Sequence, residues 1–430
     1  MILALALSLV SSQVDFTPAS RVREGALIRR RGREAASFAF FEAFPASGAG
    51  TSGACSTTAP TGAKGEALTF SRGSTATCTK TAAGGLATTG IANGDLVVLS
   101  SNVARVEYDF AGKLKLRGEP SRTNVNLQSA NLADAVYANV GAPTVTANTT
   151  VSPDGTTTMA TIQDNSAAAL EGRSQTVTVT SGQPYTLSVF VKAGTLSAVT
   201  VSLDGTTATC TSLSATTSTR CIVTDASASG VAIVASVTGG TIVGDTGTFI
   251  AWGQQVELGN YATSYMPTGA GTATRAVDSA QIAMSGFSTA TGYSLSMKST
   301  SPAINEGGVW GGVGSIYQDA LNRTQFYRVS SNAVNGDLFS TSGNRSAASI
   351  GTGSYVANVE EKFGLTYSGA GASSVVTAYR AGAIVATSAS GLTSTFSPTI
   401  FYPFGLGANA DTTQLVGEFC LDNSLTKCLR

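Results

Sequence analysis

Beyond about residue 67 the chain alternates apolar and polar residues with a period of two. The clearest runs are 174–182 (SQTVTVTSG), 184–194 (PYTLSVFVKAG), 197–205 (SAVTVSLDG) and 231–240 (VAIVASVTGG). Each puts β-branched or aromatic side chains on one face and Ser/Thr on the other, which predicts strands with one face on a core. Gly, Asp-Gly and Asn-Gly turns recur every 8–12 residues, the spacing of a β-sandwich or jelly roll. The pattern breaks at 266–278 (MPTGAGTATRAVD) and then resumes. A second set of strands is predicted at 293–300 (YSLSMKST), 324–331 (TQFYRVSS), 361–369 (EKFGLTYSG), 374–382 (SVVTAYRAG) and 383–391 (AIVATSASG). Arg380-Ala381-Gly382 is expected to turn a hairpin. No solenoid or propeller period is present.

The first 66 residues read differently. Residues 2–10 are apolar and Val10-Ser11-Ser12 offers small residues for cleavage, as in a secretory leader. The stretch lacks a basic n-region, and six arginines follow between Arg21 and Arg33. It reads either as a leader or as an N-terminal strand. Within 17–45, ALIRRRGREAASFAFFEAF has good helix formers and ends before Pro45, so a short helical or extended arm is expected. Residues 46–66 are Gly, Ala, Ser and Thr-rich and read as linker. No segment reaches the length of a membrane-spanning helix.

Composition narrows the chemistry. The 430 residues include no histidine, and charged residues are only 12%. That excludes Ser-His-Asp and Cys-His nucleophiles, histidine-ligated metals and a histidine pH switch. Lys plus Arg equals Asp plus Glu at 26 each, so net charge exerts no pull on nucleic acid. The basic arm leaves the compensating acid to the β body. Cys55, Cys78, Cys210, Cys221, Cys420 and Cys428 fall into three local pairs with no CxxC, which reads as disulfides and an oxidising compartment. Cys210 and Cys221 flank TSLSATTSTR, which predicts a cross-strand bridge over a hairpin loop.

Several residues are candidates for chemistry or for structure. Glu119-Pro120-Ser121-Arg122-Thr123-Asn124 is the most distinctive string, with Arg122 expected to clamp Glu119 or Glu257. Trp252, within FIAWGQQVELG, is expected in a core. Tyr261 and Tyr265 follow that strand into a loop, where they would stack on a sugar or pack a junction. Trp310, Tyr317, Asn322 and Tyr327 fall within one hairpin-sized region. Aromatics beside Asn, Asp and Gly suit neutral glycan, whose rings have apolar C–H faces and polar rims. Glu171, Asp204, Glu257, Asp319 and Glu418 are carboxylates with no pairing signal for glycoside hydrolysis. Asp154, Asp204 and Asp411 sit in turn contexts. Calcium, for which oxygen ligands suffice, is compatible with them, although Asp-Gly pairs are ordinarily turns. Asn148 and Asn322 match the glycosylation sequon, and no nucleotide-binding glycine string occurs.

Two stretches carry a family resemblance. One is TFSRGSTATC (69–78) with NVARVEYDFAGKLKLRGEPSRTNVNLQS (102–129). The other is PYTLSVFVKAG (184–194) with FIAWGQQVELGNYATSYMPTGAGTATRAVD (249–278). Together they resemble a module of phage head-spike and tail-fibre proteins that carries a carbohydrate-binding-type jelly roll. Many relatives have a tryptophan after the Arg-Thr-Asn motif, where NLADAVYANVG offers Tyr137. Residues 279–430 are similar to laminin-G or concanavalin-like sandwiches. The resemblance implies cell-surface glycan and other virion or appendage proteins as partners, and a homo-oligomer such as a trimer.

The expected architecture is all-β: tandem sandwiches behind an N-terminal arm. The divisions are 1–12 (leader or strand), 13–66 (basic arm and linker), 67–120 (β-rich entry region), 121–268 (jelly roll) and 269–430 (concanavalin-like sandwich). The expected function is a non-catalytic, adhesin-like component of a phage appendage or a secreted relative. A purely structural connector and a polysaccharide depolymerase are the alternatives. The expected location is the virion or the extracellular space, with no required cofactor.

Overall fold

The computed structural model describes residues 38–40, 54–56, 67–80, 89–108, 114–284, 292–300, 311–319, 322–328, 334–339, 345–349, 359–369, 375–389, 400–403 and 414–422. Among them every regular element is a strand, and every strand pairing is antiparallel. The leader or strand at 1–12 and the arginines of the arm lie outside these residues. The end of the expected helix does not: Phe38–Phe40 is a strand paired with Phe419–Leu421. Its alternating Phe-Ala-Phe suits a sheet edge better than its propensity suits a helix.

The jelly roll consists of two five-stranded sheets. One runs Thr219–Asp225, Tyr185–Ala193, Gly247–Leu258, Met159–Asp164, Thr144–Thr150. The other runs Thr206–Cys210, Val199–Leu203, Ala232–Gly239, Gly172–Thr178, Ala138–Val140. Leu187, Val189 and Val191 of the first sheet meet Val199, Val201, Ile233 and Val237 of the second in one apolar core. Asp204 and Gly205 both take positive φ between Leu203 and its partner Thr206, a two-residue turn that suits the strand twist. Cys210–Cys221 forms, but not across a hairpin. Cys210 ends a strand of one sheet and Cys221 lies in the other, so the bond staples the sandwich along one edge.

The second sandwich draws on two parts of the chain. Its larger sheet runs Ala383–Ala389, Val375–Arg380, Glu361–Tyr367, Tyr293–Thr300, Gln414–Asp422, Leu114–Gly118, Arg105–Tyr108. Its partner runs Leu68–Ser71, Ser279–Ala283, Ile400–Tyr402, Gly311–Asp319, Asn322–Arg328, Val334–Phe339, Arg345–Ser349. Residues 67–120 therefore supply strands to both sheets. The jelly roll is an insertion within this sandwich, entered through Arg122–Asn124 and left through Ala273–Arg275, which pair with each other. Leu68, Phe70, Ile282, Ile316, Phe326 and Phe401 pack against Leu116, Leu295, Met297, Phe363 and Leu365 as a single core. Ala381 and Gly382, both at positive φ, turn the expected hairpin between Arg380 and Ala383.

Insertion explains one departure from the alternating pattern. All nine residues of Tyr185–Ala193 are buried, not every second one. The inner face meets the jelly-roll core. The outer face is covered by the hairpin Ala76–Thr79/Leu96–Leu99 and its flanks, through Ile91 and Leu96.

Candidate functional site

The covered face of the jelly roll holds an aromatic cluster. In-register pairing lines up Arg220, Phe190 and Trp252 across three strands. Trp252 and Tyr265 have ring centroids 4.7 Å apart, and Phe190 lies 5.5 Å from Trp252 and 5.9 Å from Tyr265. Arg220 sits over the Phe190 ring at 5.3 Å. Gly253, at φ +67°, makes room: a Cβ there would stand 2.8 Å from Phe190. Trp252 Nε1 donates to Thr158 Oγ1 at 2.9 Å, and the Tyr265 hydroxyl meets Ser129 Oγ at 2.7 Å. Burial raises the Tyr265 pKa and lowers that of Arg220 to about 10. Trp252 is a core residue as expected. Tyr265, Tyr261 and Tyr137 are all buried, so none presents a ring to a sugar in solution.

The neck of the insertion is held by buried charge. Glu119 receives Arg105 and Arg117 at 2.6 Å and Arg275 at 2.9 Å. Asp278 receives Arg72 at 3.1 Å and Arg105, and Arg117 also reaches Glu107. Ser264 of the jelly roll donates its backbone N–H and its hydroxyl to Glu119. Burial opposes charge on Glu119, but the guanidiniums of Arg105, Arg117 and Arg275 hold its pKa well below the usual carboxylate range. Burial likewise opposes charge on Arg105, and Asp278, Glu119 and Glu107 overcome it and raise its pKa. Glu119 thus takes its clamp from Arg105, Arg117 and Arg275, where the sequence motif predicts Arg122. Arg122 lies over the Tyr261 ring at 5.7 Å. Glu257 accepts from Gln255 and from Thr263. Asn124 accepts from Val256 N–H and donates to the Met266 carbonyl.

Three of the other carboxylates, Glu171, Asp204 and Asp154, are occupied by turns. Glu171 accepts from the N–H groups of Ala142 and Asn165, and Asp204 from Ser229. Asp154 accepts from Ser152 and Thr156. Among the described residues no group of three or more His, Cys, Asp or Glu side chains could hold a metal. Asp411, Trp310 and Cys428 lie outside the described residues, so the third cysteine pair does too. Cys55–Cys78 is bonded.

Among the described residues the second sandwich leaves one aromatic patch open. Ser315 pairs with Tyr402, and Tyr317 pairs with Ile400, so Tyr317 and Tyr402 are diagonal neighbours on one face. That face is the outer one, because Ile316 and Phe401 between them point into the core. The two rings stand edge-on with centroids 5.8 Å apart, and both residues are half-buried. On the next strand Arg323 lies opposite Tyr317 and Gln325 opposite Ser315, and Arg323 Nε donates to Gln325 Oε1 at 3.1 Å. The Ser315 hydroxyl on this face is buried without a hydrogen-bond partner. Partial burial, then Tyr317, raises the Tyr402 pKa. Tyr327 continues the same strand but is buried, its hydroxyl accepting from Asn335 Nδ2 at 3.3 Å. Asn322 opens that strand opposite Asp319. Of the four residues grouped in sequence, the structure places Tyr317 in the open patch and Tyr327 in the core. Tyr402 comes from a distant strand in IFYPF, and only the sheet order reveals it.

No family model matches the chain, and no curated protein matches it. Solved structures give distant likenesses. The binding domain of Paraclostridial Mosquitocidal Protein 1 is 10% identical, with 35% of this chain and 41% of that one covered and a TM-score of 0.29. The Ruminococcus gnavus IT-sialidase CBM40 bound to α2,3-sialyllactose is 10% identical over 32% of this chain and 78% of that one, with a TM-score of 0.25. The tandem CBM22-1-CBM22-2 domain of Paenibacillus barcinonensis Xyn10C is 10% identical over 70% of this chain and 99% of that one, with a TM-score of 0.24. TM-scores of this size do not establish a shared fold.

Proposed function

We propose that this protein is a non-catalytic, adhesin-like component of an extracellular appendage that holds cell-surface carbohydrate at the Tyr317–Tyr402 patch. The observation that carries the reading is the patch itself: two half-exposed rings beside the Arg323–Gln325 pair, over a buried hydroxyl with no partner. Aromatic surface suits the C–H face of a pyranose, and guanidinium, amide and hydroxyl groups suit its rim. The occupied carboxylates Glu171, Asp204 and Glu257 favour binding over hydrolysis. Two disulfides and a chain without histidine suit an oxidising exterior and a durable part. The phage origin rests on the sequence resemblance, as does a trimer, which would strengthen weak single sites by multivalency.

A glycan array with the full chain, run beside an assay for reducing-end release from the retained polysaccharide, tests this. Retention that is lost in Tyr317→Ala and Tyr402→Ala, without release, is the expected result. Release would show a depolymerase, and no retention on any glycan would show a structural connector.

A further inference from the structure

One end of the jelly roll is poor in charge. Five connections meet there: 140–143, 165–170, 194–198, 211–218 and 240–247. Their meeting is visible in their contacts. Ala142 N–H donates to Glu171, Leu196 N–H to the Thr248 carbonyl, Leu213 N–H to the Ser197 carbonyl, and Gly240 N–H to the Ala198 carbonyl. These connections hold no lysine or arginine. The three carboxylates at this end, Asp164, Glu171 and Asp245, are turned onto backbone N–H groups: Asp164 onto Ser166 and Glu171, Glu171 onto Ala142 and Asn165, Asp245 onto Thr241 and Ile242.

From this end Ile242 and Val243 project, 67% and 60% exposed. Their turn is held in shape. Gly240 and Gly244 take positive φ, and a Cβ on Gly240 would stand 2.3 Å from Asp245. Ala167, Ala168 and Ala169 are exposed on the neighbouring connection. Among the described residues the other adjacent exposed apolar pair, Ile384 and Val385, begins four residues after Arg380, which is paired with Glu361, and has no such charge-poor surround.

We infer that this end docks on the interfacial region of a lipid bilayer, with Ile242 and Val243 entering the headgroup–acyl boundary. Two large apolar side chains on a protruding turn are far short of the roughly 800 Å² per partner that a stable protein interface needs. A bilayer requires no matching shape and takes up such side chains individually, giving weak and reversible attachment. The missing lysines and arginines make the expected partner a zwitterionic surface, with no dependence on anionic lipid. This inference is independent of the carbohydrate reading, because plain phosphatidylcholine vesicles carry no glycan.

Co-sedimentation of the full chain with phosphatidylcholine vesicles tests it. The expected result is measurable partition, reduced at least tenfold in Ile242→Asp/Val243→Asp and unchanged in Val231→Asp. Val231, 67% exposed, lies at the opposite end of the strand Ala232–Gly239 that leads to the turn. Circular dichroism melting of both variants within a degree or two of the parent shows that folding is intact. No partition by the parent, equal partition by the double variant, or partition that requires anionic lipid overturns the inference. So does a change of sedimentation coefficient in the double variant without vesicles, which would assign the tip to protein contact.

Discussion

The two sandwiches each carry aromatics on an outer sheet face, and they treat them in opposite ways. In the jelly roll, Phe190, Trp252 and Tyr265 are sealed under the entry hairpin and make a second core. In the surrounding sandwich, Tyr317 and Tyr402 stand half-open with polar neighbours. The difference comes from topology rather than from residue type. The jelly roll is inserted into the other domain, so one of its faces must lie against the chain that enters and leaves it. A tryptophan on such a face is a packing residue whatever its resemblance to a sugar platform.

The largest effect is expected from breaking the clamp that keeps the first face covered. Arg105→Ala removes a guanidinium shared by Glu119 and Asp278 and leaves both carboxylates buried with less compensation. Loss of one partner of a buried pair costs about 3–5 kcal/mol. Of the two tryptophans in the chain, Trp310→Phe leaves Trp252 as the sole reporter. In that background Arg105→Ala should lower the melting temperature and shift Trp252 emission to the red before global unfolding. Unshifted emission up to the global transition would show that the cover does not depend on the clamp.

Next in size is Trp252→Ala, which empties the centre of the covered cluster and leaves Thr158 Oγ1 without its indole donor. The expected destabilisation is about 3–5 kcal/mol by denaturant melting, with glycan retention by folded protein unchanged. Loss of retention in folded Trp252→Ala would move the site to the jelly roll and overturn the contrast. The staple comes after this. Cys210→Ala/Cys221→Ala frees the edges of the two jelly-roll sheets and should cost about 2–3 kcal/mol, read as a lower melting temperature.

These contrasts mark how far the sequence could be read. Strand periodicity, the Asp204-Gly205 and Ala381-Gly382 turns and the Cys210–Cys221 partnership are local, and local signals suffice for them. What covers Tyr185–Ala193 is not local. The alternation of PYTLSVFVKAG predicts a solvent face, and only the return of residues 67–120 into the outer sandwich removes it. The same holds for charge. Arg72, Arg105, Arg117 and Arg275 look like ordinary surface arginines one at a time, and their convergence on Glu119 and Asp278 appears only when the neck closes. Tyr317 was legible as an aromatic among polar residues. Tyr402 was not, because its partner strand is some eighty residues away in sequence.

Acid sharpens the comparison further. The folded pKa of Glu119 lies well below its ordinary value of 4.5, so its contribution is fully present above that value. It is lost as pH falls below 4.5 towards the folded pKa. Melting temperature should therefore decline on acidification below about pH 4.5, and the decline should be shallower in Glu119→Gln, which starts less stable. Equal slopes in parent and variant would remove Glu119 from the account.

The smallest effect on stability, and the sharpest on function, is expected at the open patch. Tyr317 is half-buried and its ring meets Tyr402 edge-on, so Tyr317→Ala loses one aromatic pair worth about 0.5–1.5 kcal/mol and little core packing. Tyr402→Ala should match it, and the double variant should cost less than the sum of the two, because the pair is lost once. If the patch holds carbohydrate, each single variant should weaken retention on the array about two- to tenfold, the factor to which stacking of this strength converts. Arg323→Ala should weaken retention as well, through the rim it forms with Gln325. A tyrosine variant that melts like the parent and still binds like the parent would mean that the openness of this face has another use. One that melts normally and fails to bind would set the open face apart from the sealed one by function as well as by exposure.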